Sequence, residues 1–205
     1  MRTRFNSDLG SIKEMSKEVT QLILISYDRI DLYLDNKNDE NLDHVIELYD
    51  DIRRGAEGLE RLCFELLALQ QPVARDLRLL QMEIKLASTF KRIASHLNSV
   101  AEILKNYEIS DKETFFIKQF IENEKKMVED GIEAFVKNNK DLALSTIEKD
   151  EINNKLFVDA ITFAADENKN DRIDAVELSN KILLFKYFER LGDRLARMAD
   201  LATRL

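Results

Sequence analysis

The sequence predicts an all-α protein of six long helices, arranged as two tandem three-helix bundles. Three observations lead there. Apolar residues recur at three- and four-residue spacing through six successive segments, the pattern of amphipathic helices that turn one face to a core. Five glycines and one proline among 205 residues leave almost no material for tight hairpin turns. Finally, Phe90-Lys91-Arg92-Ile93-Ala94-Ser95-His96 and Phe188-Glu189-Arg190-Leu191-Gly192-Asp193-Arg194 are related segments, with Arg92 and Arg190 lying 98 positions apart (190 − 92). That is the length of one three-helix unit, so an internal duplication is the economical reading.

The first helix carries Leu9, Ile12, Ser16, Val19, Ile23, Ile30 and Leu34 on one stripe, and the polar run Asp35-Asn36-Lys37-Asn38-Asp39 ends it. The second carries Leu42, Val45, Tyr49, Ile52, Ala56, Leu59, Leu62, Leu66 and Leu69. After Gln70-Gln71-Pro72 the third runs through Leu79, Glu83, Leu86, Phe90, Ile93, Leu97, Val100 and Leu104. Pro72 suits the first turn of that helix, where its missing N–H costs nothing. Short links make neighbouring helices antiparallel.

A second unit then begins. Ser110-Asp111-Lys112-Glu113 reads as a capping box, in which the Ser side chain bonds forward and the Glu bonds back. Phe116, Phe120, Met127, Ile132 and Phe135 mark the fourth helix, closed by a turn at Asn138-Asn139-Lys140-Asp141. Leu142, Ile147, Leu156, Ala160 and Phe163 mark the fifth, and the polar run Asp166 to Asp171 closes it. Ile173, Val176, Leu184, Phe188, Leu191, Leu195, Met198 and Leu205 mark the sixth. The boundary falls between Tyr107 and Asp111, giving bundles over residues 1–107 and 108–205.

Composition narrows the function. The formal charge is −8 and no Lys/Arg cluster stands out along the chain, so nucleic acid is a poor candidate partner. Cys63, the only cysteine, sits at apolar spacing with Leu59, Leu62 and Leu66, which marks a core filler and excludes an internal disulfide. The chain begins Met1-Arg2-Thr3-Arg4-Phe5-Asn6 without the apolar stretch of a secretory signal. No segment approaches the roughly 18 apolar residues of a membrane span. The expectation is a cytoplasmic protein, held at the inner face of a membrane only through partners.

Glu189 and Asp193 are four apart and stack on one helical face, with Asp200 two turns further along it. Gly192 beside them removes a side chain where a neighbouring helix or ligand approaches. Asp150 and Asn154 on the fifth helix have the same spacing and supply a second pair of oxygen ligands for a hard cation. The competing reading is an ordinary solvated acidic face. No Ser, Cys or Lys carries a nucleophile motif and no glycine-rich loop cradles a nucleotide phosphate. His44 and His96 lack the Glu-x-x-His context of a di-iron bundle, having Asn41 and Ile93 three residues earlier. A non-enzyme is therefore expected, and a helical-bundle metalloenzyme is the alternative from another class.

The segment Leu66 to Arg78, and within it Gln71-Pro72-Val73-Ala74-Arg75-Asp76-Leu77-Arg78, resembles the signature RQPVAxDLR of the PhoU family of phosphate-uptake regulators. Tyr187-Phe188-Glu189-Arg190-Leu191-Gly192-Asp193 resembles its second hallmark, LERIGD. The resemblance implies a regulator that restrains phosphate import through an ABC-type phosphate transporter and signals to a membrane sensor histidine kinase, acting without turnover and often as a homodimer. It also implies iron or zinc bound through acidic motifs of the form E(D)XXXD, which Glu189 to Asp193 fits. The first half departs from the pattern: Lys91 and Ser95 stand where Glu and Asp belong, and Tyr49 and Arg53 fall near the acidic positions of the preceding helix. A metal site is accordingly expected in the second bundle only, at Glu189, Asp193, Asp150, Asn154 and Asp200. Gln71, Arg75, Asp76 and Arg78 open the third helix, either as dipole and cross-turn pairs or as a contact surface for the transporter or kinase. Loss of the first acidic site keeps open service to another ion or phosphate transporter.

Overall fold

Seven helices succeed one another among the described residues, which in the computed structural model are 2–69, 72–171 and 174–205. They are α1 (Arg2–Asn36), α2 (Glu40–Leu69), α3 (Ala74–Asn106), α4 (Asp111–Lys137), α5 (Lys140–Glu148), α6 (Asp150–Asp171) and α7 (Ala175–Thr203). All six expected helices are there. The fifth is divided, because the chain tightens at Lys149: its N–H donates to Thr146 O at 3.2 Å and its carbonyl accepts from Ile152 N at 3.0 Å. Both are three-residue bonds, which wind the helix more tightly for one turn and redirect α6.

The links stop helices by local chemistry. Lys37 and Asn138 both take the left-handed region, at φ 53°, which ends an α-helix and frees its carbonyls for the N–H groups of the link. After α4, Asn139 N donates to Ala134 O at 2.8 Å, and Asn139 Oδ1 then caps α5 by accepting from Leu142 N at 3.1 Å. The expected capping box forms: Glu113 N donates to Ser110 Oγ, and Ser110 N donates to Glu113 Oε2 at 2.9 Å. Pro72 departs from expectation, since α3 begins at Ala74 with Val73 as its N-cap. Leu69 and Val176 do too, at 81% and 66% exposed, because each lies at the end of its helix beyond reach of the core. Ile173, Gln70 and Gln71 lie outside the described residues.

Helices α1 to α3 form one bundle, and α4 with α5, α6 and α7 the other. Ile12, Val19, Ile23, Ile30 and Leu34 of α1 are buried with Leu86, Phe90, Ile93 and Leu97 of α3, and Cys63 of α2 is fully buried among them. Burial of each such aliphatic or aromatic side chain contributes about 1.5–3 kcal/mol. In the second bundle the Phe120 and Phe188 rings stack with centroids 5.4 Å apart, adding roughly 0.5–1.5 kcal/mol beyond area. The bundles share a wall: α3 packs along α7 and α1 along α4. The third helix of each unit therefore faces the third helix of the other, and the Glu189–Asp193 segment of α7 lies beside this seam.

Candidate functional site

The break at Lys149 aims Asp150, the first residue of α6, at α7. Lys149 pairs with Asp130 of α4, which also receives Lys126 Nζ at 3.0 Å. Burial alone would raise the Asp130 pKa, but these two ammonium partners outweigh it and hold it below the usual range. The turn is thereby anchored.

Across from Asp150, Gly192 leaves room for α6. A Cβ there would fall 2.6 Å from Asp150 Oδ1 and land inside the Asn153 amide. Close approach of α6 therefore requires glycine. Asp150 Oδ1 is buried without a hydrogen-bond partner. Burial, then the charges of Asp193 and Glu189, push the Asp150 pKa up to about 6, offset only in part by Asn154. Asp193 is also raised, by burial and then by Glu189, against the pull of Arg194. Glu189 is paired with Lys186 one turn earlier, at 2.6 Å.

The structure thus brings Asp150, Asn154, Glu189 and Asp193 into one electrostatic neighbourhood. Asp200 stands apart, held by Arg204 at 2.6 Å and Arg197 at 3.6 Å. Mutual repulsion among three carboxylates, one with an orphaned buried oxygen, suits a hard or borderline cation in charge and donor type. Among the described residues, however, no three His, Cys, Asp or Glu side chains converge closely enough to form a closed ligand set. In the first bundle the equivalent place is filled internally: Lys91 pairs with Glu60 of α2 at 2.8 Å, and the Arg53 guanidinium lies over the Tyr49 ring at 5.5 Å.

Beneath these carboxylates lies a buried polar network that the spacing argument missed. Glu124 of α4 is fully buried; it accepts from Tyr27 OH at 2.9 Å and from Asn153 Nδ2 at 3.0 Å. Asn123 Nδ2 donates to Asn153 Oδ1 at 2.8 Å. Burial raises the Glu124 pKa well above the ordinary value, and Asp150 adds to the rise. The signal was a gap: the α4 stripe leaps from Phe120 to Met127, and Glu124 occupies the vacant turn. Asn153, not Asn154, is the core-facing amide.

At the far end, Arg75 and Arg78 are exposed and Asp76 is half-buried in the first turn of α3. Neither arginine forms an ion pair among the described residues, and Gln71 lies outside them. Leu69, Val73 and Leu77 are exposed around them, so this end presents apolar as well as charged groups.

The PhoU domain matches the chain twice, over residues 12–104 and 117–202. The chain belongs to the PhoU family. Its relatives include the phosphate-specific transport system accessory protein PhoU homolog 1 of Methanothermobacter thermautotrophicus, 29% identical over 97% of this chain and 92% of that one. The PhoU homolog of Aquifex aeolicus is 30% identical over 73% of this chain and 69% of its own. Crystal structures of PhoU from Pseudomonas aeruginosa, at TM-score 0.86 and 23% identity over 97% of this chain and 96% of that one, and of the phosphate transport system regulatory protein PhoU from Streptococcus pneumoniae, at 0.86 and 20% over 97% and 94%, share the fold. No helix of the described residues is long and apolar enough to cross a membrane.

Proposed function

We propose that this PhoU-family chain is an accessory regulator of phosphate transport that works by occupying partner proteins, without turnover. The observation carrying this reading is the double family match across nearly the whole length, with relatives named as accessory proteins of the phosphate-specific transport system. The partners are an ABC-type phosphate transporter and a sensor histidine kinase, met from the cytoplasmic side. The end of the bundle bearing Arg75, Arg78, Leu69, Val73 and Leu77 supports such a contact, because charged groups beside exposed apolar ones are what protein interfaces use. Gln71 and Asp76 belong to the same proposal, as does a homodimer.

Asp150, Glu189 and Asp193, with Asn154 beside them, are the residues that would hold iron or zinc in the second bundle. The support is their shared repulsion and the unpartnered oxygen of Asp150. Deletion of the gene, with measurement of phosphate uptake and phosphate-responsive expression in phosphate-rich medium, tests the regulatory reading: both rise if it holds, and both stay unchanged if it fails. A second reading, service to a different ion or phosphate transporter, is favoured by the Lys91–Glu60 pair, which replaces carboxylates in the first bundle.

A further inference from the structure

Folding gathers positive charge that the linear sequence keeps apart. Lys85, Ser88, Thr89 and Arg92 line one side of a groove of about 480 Å³ between α3 and α7. Their spacing of three, four and seven residues places them on one helical face. Arg194 and Arg197 form the opposite wall, where Asp193 is the lone carboxylate. Four cations therefore face one anion.

Little within the protein neutralises them. Arg197 reaches Asp200 at 3.6 Å, whereas Lys85, Arg92 and Arg194 join no ion pair among the described residues. Arg194 Nε is buried without a hydrogen-bond partner, as is His96 Nε2 one turn beyond Arg92. The field of the arginines is felt in the interior: burial, then Arg194, Arg190 and Arg92, lower the His96 pKa to about 4. Packing of α3 on α7 enforces this crowding of like charges, and a multivalent anion relieves it.

The shape of the donors narrows the anion. Guanidinium forks match tetrahedral oxyanions with paired N–H donors and are weakly hydrated, so they surrender water readily. Ser88 adds an exposed hydroxyl at the mouth. Lys85 to Arg92 spans only about 10 Å of helix, which suits a small ion and is too short for a nucleic-acid strand.

We propose that the α3–α7 groove binds inorganic phosphate, held by Lys85, Arg92 and Arg194 at the seam between the two halves of the chain. The demand for an oxyanion comes from the groove; the choice of phosphate among oxyanions rests on the proposed regulatory function. Occupancy ties α3 to α7 and so couples the bundles to phosphate level. Asp193, shared between the groove and the carboxylates at Gly192, makes the two sites interact: neutralising it strengthens anion binding.

Calorimetric titration of the full chain at low salt with inorganic phosphate, sulfate and chloride tests this. Phosphate should bind once per chain. Arg92→Gln and Lys85→Gln, both at exposed positions, should each weaken it about tenfold, the loss expected of one charge-assisted contact. Ser88→Glu should abolish it, Asp193→Asn should tighten it several-fold by removing the opposing charge, and Lys155→Gln on α6 should leave it unchanged. Unfolding temperatures confirm that each variant folds. Absence of phosphate binding up to roughly 10 mM, or binding that Ser88→Glu and Arg92→Gln leave intact, overturns the proposal. Sulfate binding in place of phosphate overturns the choice of ion. Groove-dependent phosphate binding beside an unaltered deletion phenotype leaves the site standing and removes the regulatory reading instead.

Discussion

Ser16 Oγ of α1 donates a 2.7 Å hydrogen bond to Glu83 Oε2 of α3, inside the first bundle, where both residues are fully buried. The other carboxylate oxygen has no partner. Burial pushes the Glu83 pKa from 4.5 up to about 7, against the lesser pull of Ser16 and Lys13. Below pH 4.5 the group is protonated whether the chain is folded or not, and costs nothing. Between there and pH 7 the folded state binds the extra proton, so stability declines as pH rises. Glu83→Gln should abolish this decline, making the variant about 1–3 kcal/mol more stable than the parent at pH 8 and equal to it at pH 4. Urea unfolding at the two pH values checks it; parallel losses in both proteins would refute the assignment.

Gly192→Ala should lower stability by roughly 1–3 kcal/mol, the usual cost of forcing an atom into a filled contact. Its Cβ displaces the Asn153 amide and so disturbs the bond from Asn153 to Glu124. Gly10→Ala is the control: nothing lies within 4 Å of its added carbon, and a helical position should gain about 0.5–1 kcal/mol. Thermal unfolding distinguishes them, and a neutral Gly192→Ala would show that α6 can retreat freely.

Iron or zinc retained on purification should be lost when Glu189 and Asp193 are both replaced by alanine, as read by metal analysis per chain. Binding should also weaken as pH falls through about 6, where Asp150 takes up a proton and ceases to be a ligand. Unchanged metal content in the double variant excludes the pair as ligands.

Cys63 should resist alkylation in the folded chain at pH 8 and react at once in urea. It is fully buried, and burial with the nearby charges of Glu83 and Glu60 raises its pKa to about 12, so almost no thiolate forms. Rapid native labelling would mean that α2 opens locally.

Helix order and the α4 cap were legible because each depends on local pattern: Ser110 and Glu113 identify their own capping box, and the α3 stripe from Glu83 to Leu104 is buried at each of its spacing positions. The break at Lys149 was not, since no glycine or proline marks it and its anchor, Asp130, lies on another helix. For the site, helical spacing pairs Glu189 with Asp193 and Asp150 with Asn154, and the packing of α6 on α7 sets the two pairs side by side. Asp200 shares that spacing but is claimed by Arg204, a choice that depends on side-chain reach. The groove was invisible in sequence, because Arg92 and Arg194 meet only when two distant helices pack.

Contact of α1 with α4 and of α3 with α7 sets like against like, which is how a two-fold axis joins identical subunits. An ancestor carrying a single repeat would have borne one self-complementary face and hidden it by pairing with its twin. Identical subunits must place the same residue on both sides of such an axis. Fusion removes that constraint, and the two repeats differ accordingly: Glu83 and Lys181, 98 positions apart (181 − 83), are both buried, one a carboxylic acid and the other an amine. One chain with two repeats can thus hold two different residues at a matched position, which no homodimer of a single repeat can do.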